Sequence, residues 1–514
     1  MPPAKKYRIE PPYYPIVYVR GYAMMKEERE ETFYDAYYGF AATSVEKRQV
    51  PPPDYFLADL FEGQLIRFMK TKEFGYADAT NEGLVDFDGN PSRSIWVCRF
   101  YDPDVFHSKV RSIEEHAEDL RKMVCDTIPA ELEENGVDLG PNRSKYKIIL
   151  LAHSMGGLVC RTLIQNLLPE KKEDPKRWIH RLVTMGTPHR GIDLGRIPNI
   201  IEDPLTTLLN PFDAAIFKEP RMREYLKLPK NCEVHSLGPV DARSFSVKRC
   251  FCLIGSDYSS YNVVRQVTGN HSDGLVKQDH AYLVAGPRPP KDQDYPDDRV
   301  CFWANVHRAH SGRRGIVNSY ESFENIQRFL FGNIKAEIAL ENLAFTSPPE
   351  KGMSYFYDFE FLFSIRKTGV YLHQRQQNPC ENAFRVMRDK MPASLPLHTA
   401  FLNSKMKDRG QKFSHFNLKL RVVEHRVKEG FLWDHEYPER PIYNETVEIR
   451  IGDTNPQEPG DEVQYRWLSD GDAWHDVEAD DADVFPIPLR PAGTFNATLA
   501  VKAGKWPDPA LTLD

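Results

Sequence analysis

The first two thirds of the chain alternate between short apolar runs and segments whose apolar residues recur at helical spacing. Buried strands are predicted at residues 15–19, 94–101, 148–151, 178–185, 250–255 and 300–306. Between them, Ser112 and Glu115 form a capping-box pattern, and a last helix is predicted to begin at Ser319 and end at Gly332. Strands that alternate with helices predict a mostly parallel sheet with helices on its faces.

After residue 333 the hydrophobic pattern changes from helical spacing to strict alternation. Apolar and polar side chains alternate around Ile338, Phe361, Leu420, Ile449 and Leu499, and turn-rich loops separate these runs. Period-two runs of this kind predict antiparallel strands with one buried face. We therefore expect an α/β domain over residues 1–333 and an antiparallel β-sandwich domain over residues 334–514.

The segment KIILLAHSMGG, residues 147–157, predicts a strand that turns sharply into a helix. Such a turn exposes one serine hydroxyl at its apex and requires small neighbours, as in the pattern Gly-x-Ser-x-Gly. Ala152 replaces the first glycine of that pattern in this chain. Ser154 is therefore the candidate nucleophile, and the alternative is a serine that only caps a buried helix.

Two stretches interrupt the predicted α/β pattern. Residues 24–92 are aromatic, irregular and marked by prolines, and residues 195–245 hold amphipathic pieces that prolines interrupt. Connections in a compact α/β core are usually short, so both stretches are expected to cover part of that core. They could form a cap over an apolar acyl pocket, or they could be packing layers without a direct role.

Composition and charge narrow the classes of function. The 514 residues carry a formal net charge of −7 and no basic block, which argues against a nucleic-acid partner. No apolar run reaches the roughly 20 residues of a membrane-spanning helix, and the N-terminus lacks the apolar core of a signal peptide. The cytoplasm is the default expectation, with export by a route that reads no cleavable signal as the alternative.

Neither the cysteines nor the acidic residues of the C-terminal part form a metal-binding pattern. The eight cysteines are scattered without C-x-x-C spacing, so buried free thiols are expected. The acidic run at residues 470–483 could bind calcium, but a solvated loop fits better because the fixed ligand spacing of a calcium loop is missing. No metal and no cofactor are expected.

A serine nucleophile needs a base, a group that orients this base, and donors for the developing oxyanion. In a hydrolase with this kind of turn, an acid and then a histidine follow the serine along the chain, each after a strand. Asp273 and His310 occur in that order, with Asp257 and His307 as alternatives. The amide that follows the nucleophile, that of Met155, is expected to be one oxyanion donor.

Four segments resemble those of α/β-hydrolase lipases and esterases, namely AHSMGGLVCR, VTMGTPHRG, HSDGLV and HRAHSG. The resemblance covers roughly residues 14–332 and implies an α/β-hydrolase fold with a Ser-Met-Gly-Gly elbow. It also implies that Asp273 orients the histidine, and it favours His310 over His307 as the base. By the same resemblance, the second oxyanion donor is the amide of Tyr22.

Several other side chains near these motifs are expected to have structural roles. Arg20 stands where many lipases have histidine, which changes the local hydrogen bonding of that loop but leaves its backbone donors. His153 and His189 are expected to make local hydrogen bonds, as histidines beside turns usually do. Cys160 falls on the elbow helix, where packing is its expected role.

The sequence therefore predicts a serine carboxylic-ester hydrolase of lipase, esterase or phospholipase type, acting on a lipid or other acyl ester through an acyl-enzyme. Acyl transfer, or deacylation of a glycolipid or phospholipid by the same residues, is the alternative, because a fold does not fix a substrate. A non-catalytic binding protein on a hydrolase scaffold is a third hypothesis. The protein could contact a membrane or lipid surface, and its sequence indicates no oligomeric state.

Overall fold

In the computed structural model, the described residues are 6–21, 44–50, 55–61, 63–80, 83–84, 89–100, 111–192, 215–241, 244–258, 271–291, 293–312, 315–346, 348–366, 368–406, 411–428, 440–452, 460–490 and 493–507. The chain divides into two compact units. The first unit comprises Met1–Trp303 and Arg308–Phe323, and the second comprises Ala304–His307 and Glu324–Asp514. Tyr22 and large parts of the two predicted insertions lie outside the described residues.

A seven-stranded sheet forms the centre of the N-terminal part. The strands of this part are β1 (Tyr7–Arg8), β2 (Ile16–Val19), β3 (Ser44–Val50), β4 (Tyr55–Phe61), β5 (Ala77–Asp78), β6 (Ser94–Cys98), β7 (Val137–Asp138), β8 (Ile148–His153), β9 (Ile179–Met185), β10 (Cys250–Gly255) and β11 (Phe302–Val306). The sheet order is β11-β10-β9-β8-β2-β6-β5, and the pairs from β10 to β5 are parallel. The predicted mostly parallel sheet is thus confirmed.

The central strands of this sheet are mostly apolar and buried, because both of their faces are covered. Every residue of β2 and of β9 is buried, and β8 is buried up to Ala152. Parallel sheets that carry helices on both faces produce such continuous apolar runs instead of alternation. The central strands could therefore be located from the sequence pattern.

Helices flank the strands of the N-terminal part. Their bounds are α1 (Gln64–Lys70), α2 (Ile113–Lys122), α3 (Ile128–Glu134), α4 (Met155–Thr162), α5 (Leu168–Glu170), α6 (Pro175–Trp178), α7 (Glu219–Tyr225) and α8 (Tyr320–Phe331). One π-helical segment links α2 to α3, and another links α4 to α5. The predicted capping box is present at the start of α2, where the side chains of Ser112 and Glu115 each accept a hydrogen bond from the other residue's backbone.

Part of the stretch at 24–92, predicted to be irregular, forms regular structure. Strands β3 and β4 pair as an antiparallel hairpin, and β5 adds a short edge strand to the central sheet. Helix α1 buries Leu65 and Phe68, and its Gln64 side chain donates to the Ser319 carbonyl at 3.2 Å. The helix packs by contacts with residues far along the chain, which local periodicity does not reveal.

The C-terminal part is built from antiparallel strands. They are β12 (Ile334–Phe345), β13 (Met353–Ile365), β14 (Tyr371–Arg375), β15 (Phe384–Met387), β16 (Ser394–Leu402), β17 (Phe413–Lys428), β18 (Arg440–Gly452), β19 (Val463–Trp467), β20 (His475–Val477), β21 (Phe485–Pro488) and β22 (Phe495–Lys505). One sheet has the order β16-β12-β22-β21, and the other has the order β14-β13-β17-β18-β19-β20 with β15 also paired to β13.

The two antiparallel sheets share one apolar core. Alternate residues of the long strands enter it, including Ile338, Tyr357, Phe361, Leu420 and Leu499. The change of hydrophobic period near residue 333 thus correctly predicted an appended antiparallel β architecture. Among the residues that the structure describes, no helix is long and apolar enough to cross a membrane.

Candidate active site

Ser154 occupies a strained turn between β8 and α4. Its backbone has φ 52° and ψ −126°, a conformation that residues other than glycine rarely adopt. The amide of Ser154 donates to the Met185 carbonyl at 2.9 Å, and the Ser154 carbonyl accepts from the Gly157 amide at 3.0 Å. Such strain is retained where surrounding structure fixes it, and here it presents the side chain at the end of the central strand.

Gly156 allows the start of α4 to approach the end of β2. A Cβ atom at this position would lie 2.2 Å from the Val19 carbonyl oxygen and 2.5 Å from that of Arg20. Both neighbours are backbone atoms, so no side-chain movement could relieve the contact. The second small residue of the elbow is therefore required by helix and strand packing.

Three polar side chains that are far apart in sequence meet at this turn. The Nε2 atom of His310 lies 2.9 Å from Oγ of Ser154, and its Nδ1 atom lies 2.8 Å from Oδ2 of Asp273. All three residues are buried, with exposures of 6%, 4% and 1% for Ser154, His310 and Asp273. With a proton on Nδ1, His310 donates to the carboxylate and offers Nε2 as an acceptor to the serine hydroxyl.

The loop after β10 holds the Asp273 carboxylate in place. Its Oδ1 atom accepts hydrogen bonds from the amides of Leu275 at 3.0 Å and Val276 at 2.7 Å, which leaves Oδ2 for His310. The Asp273 carbonyl also accepts from the His310 amide at 2.8 Å. Backbone and side chain of the acid thus both fix the histidine, and the sequence alone did not reveal these amide donors.

Gly186, just after β9, packs against the hydrogen bond between Asp273 and His310. Its φ is +56°, and a Cβ atom there would lie 2.9 Å from Oδ2 of Asp273 and 3.1 Å from Nδ1 of His310. Gly186 is not among the site residues that the sequence predicts. The only signal for it was its place in the GTPHRG segment directly after a predicted strand.

The expected oxyanion donors are only partly described. Met155 is the first residue of α4 and is buried, so its amide belongs to the N-terminal end of this helix. Tyr22 lies outside the described residues. Its neighbour Gly21 lies beside Ser154, since a Cβ atom on Gly21 would be 2.7 Å from Cβ of Ser154.

The structure also locates the alternative site residues. Asp257 follows β10, and its amide donates to the Arg308 carbonyl at 3.2 Å, whereas the carboxylate on the histidine is that of Asp273. His307 directly follows β11, and the imidazole that reaches Ser154 is that of His310.

Two of the side chains expected to be structural are deeply buried. His189 hydrogen-bonds to the Thr184 hydroxyl at 3.0 Å, and burial lowers the pKa of its imidazole well below the usual range. Cys160 is fully buried in α4. Burial raises the pKa of its thiol well above the usual range, so the thiol stays protonated and unreactive.

The described residues contain no group of three or more His, Cys, Asp or Glu side chains arranged to hold a metal ion. All eight cysteines are buried, and none of them forms a disulfide. Within the acidic run at 470–483, Oδ1 of Asp480 accepts hydrogen bonds from the amides of Ala482 at 2.9 Å and Val484 at 3.0 Å. That carboxylate therefore stabilises its own turn.

Residues 105–201 match the family model described as "Putative serine esterase (DUF676)". This stretch contains β8, the Ser154 turn and α4. The resemblance to serine esterases is confirmed. This match supports a hydrolase function for the chain.

Three of the solved structures that are similar to parts of the chain are the following. The mature lipase BlEst2 of Bacillus licheniformis is 13% identical, with 64% of this chain and 95% of that chain covered and a TM-score of 0.32. The Tle4-Tli4 complex is 27% identical over 20% of this chain and 18% of that chain, with a TM-score of 0.15. The phospholipase PlaB of Legionella pneumophila is 11% identical, with 82% of this chain and 91% of that chain covered and a TM-score of 0.34. A search of curated proteins found no match.

Proposed function

We propose that this protein is a serine carboxylic-ester hydrolase that cleaves lipid or other acyl esters through an acyl-enzyme. The observation that carries the proposal is the pair of hydrogen bonds that joins Asp273, His310 and Ser154 at 2.8 and 2.9 Å. These bonds meet at a serine held in a strained turn between strand and helix. The match of residues 105–201 to a serine esterase family supports the same reaction class.

In the proposed reaction, His310 removes the proton from Ser154 as Oγ attacks the acyl carbon. The imidazolium then gives this proton to the departing alcohol, and the acyl group stays on Ser154 as an ester. Water attacks this ester in the second half of the reaction, and His310 takes the proton of the water. The bond between the acyl carbon and Oγ then breaks, the carboxylic acid leaves, and His310 returns the proton to Ser154. Asp273 keeps the Nδ1 proton in place and stabilises the positive charge that forms on the ring.

Charge that develops on the acyl oxygen requires donors on the other side of the reacting carbon. The Met155 amide at the start of α4 is the proposed first donor, and the helix N-terminus adds a favourable dipole there. We propose the amide of Tyr22 as the second donor. The position of Gly21 against Ser154 supports this proposal, because Tyr22 directly follows Gly21 in the chain. One such donor typically contributes about 2.7 to 4 kcal/mol to the transition state.

The experiment compares wild type with Ser154→Ala on p-nitrophenyl butyrate, p-nitrophenyl palmitate and phospholipid vesicles. Products are identified by mass spectrometry, with and without an added alcohol acceptor. We expect Ser154→Ala to lower kcat by at least about 10³-fold on every ester that wild type cleaves.

Ser469→Ala, on an exposed 3₁₀ turn of the β-rich unit, is the matched control and should keep full activity. Undiminished hydrolysis by Ser154→Ala would refute the proposal. If the acyl group is transferred to the alcohol and no free acid forms, the protein is an acyltransferase and not a hydrolase.

A further inference from the structure

His153 directly precedes Ser154 and contacts the segment that carries His310. Its Nε2 atom lies 2.9 Å from the backbone carbonyl oxygen of His310. A carbonyl oxygen can only accept a hydrogen bond, so the Nε2 atom of His153 must carry a proton and donate it. The two imidazole rings lie 5.0 Å apart between centroids at an angle of 41°.

This contact completes a set of bonds on both sides of the His310 backbone. The His310 amide donates to the Asp273 carbonyl at 2.8 Å, and the His310 carbonyl accepts from His153. His153 is the last residue of β8, whereas His310 lies in the loop after β11. The strand that presents the nucleophile thus holds the loop of the histidine directly.

The surroundings of His153 favour the neutral form of its imidazole. Loss of hydration lowers the pKa of its imidazole well below the usual range, and the nearby His310 and Arg20 lower it further. Only the hydrogen bond to the His310 carbonyl opposes these effects, and the carboxylate of Asp273 is engaged by Nδ1 of His310. A neutral donor holds the loop without placing a second positive charge beside the imidazolium that forms on His310 during turnover.

We propose that His153 is a positioning residue that fixes the His310 backbone so that Nε2 of His310 stays within hydrogen-bonding distance of Ser154 Oγ. The inference rests on the proposed hydrolase reaction. It assigns to His153 a role in kcat and not in substrate binding. A histidine that only fills space beside the turn would not require a donor at Nε2.

Three substitutions separate hydrogen bonding from packing. His153→Leu keeps a bulky side chain without a donor, His153→Gln restores an N–H donor at similar reach, and His153→Asn carries the same amide on a shorter side chain. His475→Leu, at an exposed histidine of the β-rich unit, is the matched control. Each variant is assayed for kcat and KM on a p-nitrophenyl ester and for its thermal unfolding midpoint.

We expect His153→Leu to lower kcat by about 10- to 100-fold at unchanged KM, the range typical of a displaced catalytic group. His153→Gln should recover most of this loss, and His475→Leu should match wild type. Wild-type kcat in His153→Leu would overturn the proposal. Equal losses of kcat in folded His153→Leu and folded His153→Gln would overturn it as well, because altered packing would then explain both losses. If His153→Leu does not fold, the comparison is between His153→Gln and His153→Asn. A higher kcat in His153→Gln supports the proposal, and equal kcat values in these two variants overturn it.

A second measurement distinguishes failure of this inference from failure of the proposed function. ¹⁵N NMR of histidine-labelled protein reports which ring nitrogen carries the proton, with or without activity. We expect His153 to remain neutral with its proton on Nε2 from about pH 5 to about pH 8. A proton on Nδ1, or titration in this range, would contradict the geometry of the contact. Absence of ester hydrolysis by wild type, together with the expected NMR result, would instead count against the proposed reaction and against the role of His153 in kcat, but not against the hydrogen bond from His153 to the His310 carbonyl.

Discussion

Gly186→Ala tests whether the geometry between Asp273 and His310 limits turnover. Gly186 has φ +56°, and its added methyl group would lie 2.9 Å from Oδ2 of Asp273. Ordinary van der Waals contact begins at 3.4 Å, so the carboxylate or the Gly186 backbone must move by about 0.5 Å. Asp273 resists this movement because its Oδ1 atom is fixed by the amides of Leu275 and Val276.

Two effects set the expected magnitude for Gly186→Ala. An alanine in the left-handed region costs about 1 to 2 kcal/mol of folding free energy, wherever in the chain it occurs. Displacement of the carboxylate additionally weakens a hydrogen bond to a charged group, which is worth about 1.5 to 3 kcal/mol. Since about 1.4 kcal/mol in the barrier corresponds to a factor of ten, kcat should fall by about 10- to 100-fold.

The control for backbone strain is Gly493→Ala. Gly493 has φ +52°, almost the same conformation, and a Cβ atom there would meet nothing within 4 Å. Both variants should lose thermal stability through backbone strain, and Gly186→Ala should lose more because of the added contact with Asp273. Only Gly186→Ala should lose kcat on a p-nitrophenyl ester, while KM stays near the wild-type value. A kcat for Gly186→Ala within about twofold of that for Gly493→Ala would refute the reasoning.

Two further predictions concern stability. Gly156→Ala places a methyl group 2.2 Å from the Val19 carbonyl, so urea unfolding should show a loss of about 1 to 3 kcal/mol or more, and an unchanged midpoint would contradict the close approach of α4 to β2. Burial lowers the pKa of His398 to about 3. Below pH 6.5, the approximate pKa of this histidine in the unfolded chain, the unfolded state therefore binds a proton that the folded state does not. As the pH is lowered further, the free energy of unfolding falls by about 1.4 kcal/mol per pH unit, until the pH nears the pKa of His398 in the folded state. His398→Phe should reduce this slope in urea unfolding measured at pH values between these limits, and an unchanged slope would show that His398 does not cause it.

The parts of the fold that local sequence determines could be predicted well. The strand before Ser154 is apolar over consecutive residues, and the predicted strand at 250–255 coincides with β10. The capping box at Ser112 also follows from residues three apart in sequence. In these cases the residues that fix the conformation lie next to one another, so the pattern contains the necessary information.

Contacts between distant segments could not be predicted in the same way. The order of Ser154, Asp273 and His310 suggested the residues to examine, but the bond lengths between them depend on how three loops pack. The bond from His153 to the His310 carbonyl joins residues 157 positions apart and has no local pattern. Gly186 gave only the general signal of a glycine after a strand, which does not indicate what lies above it.

The central claim is that Ser154 is a nucleophile activated by His310. The most direct measurement is the reaction of folded wild-type protein with a fluorophosphonate probe, followed by mass mapping of the labelled peptide. We predict label on Ser154 alone, no label in Ser154→Ala, and much slower labelling of folded His310→Ala than of wild type. Label on another residue, no label on folded wild type, or equal labelling rates for His310→Ala and wild type would contradict the account.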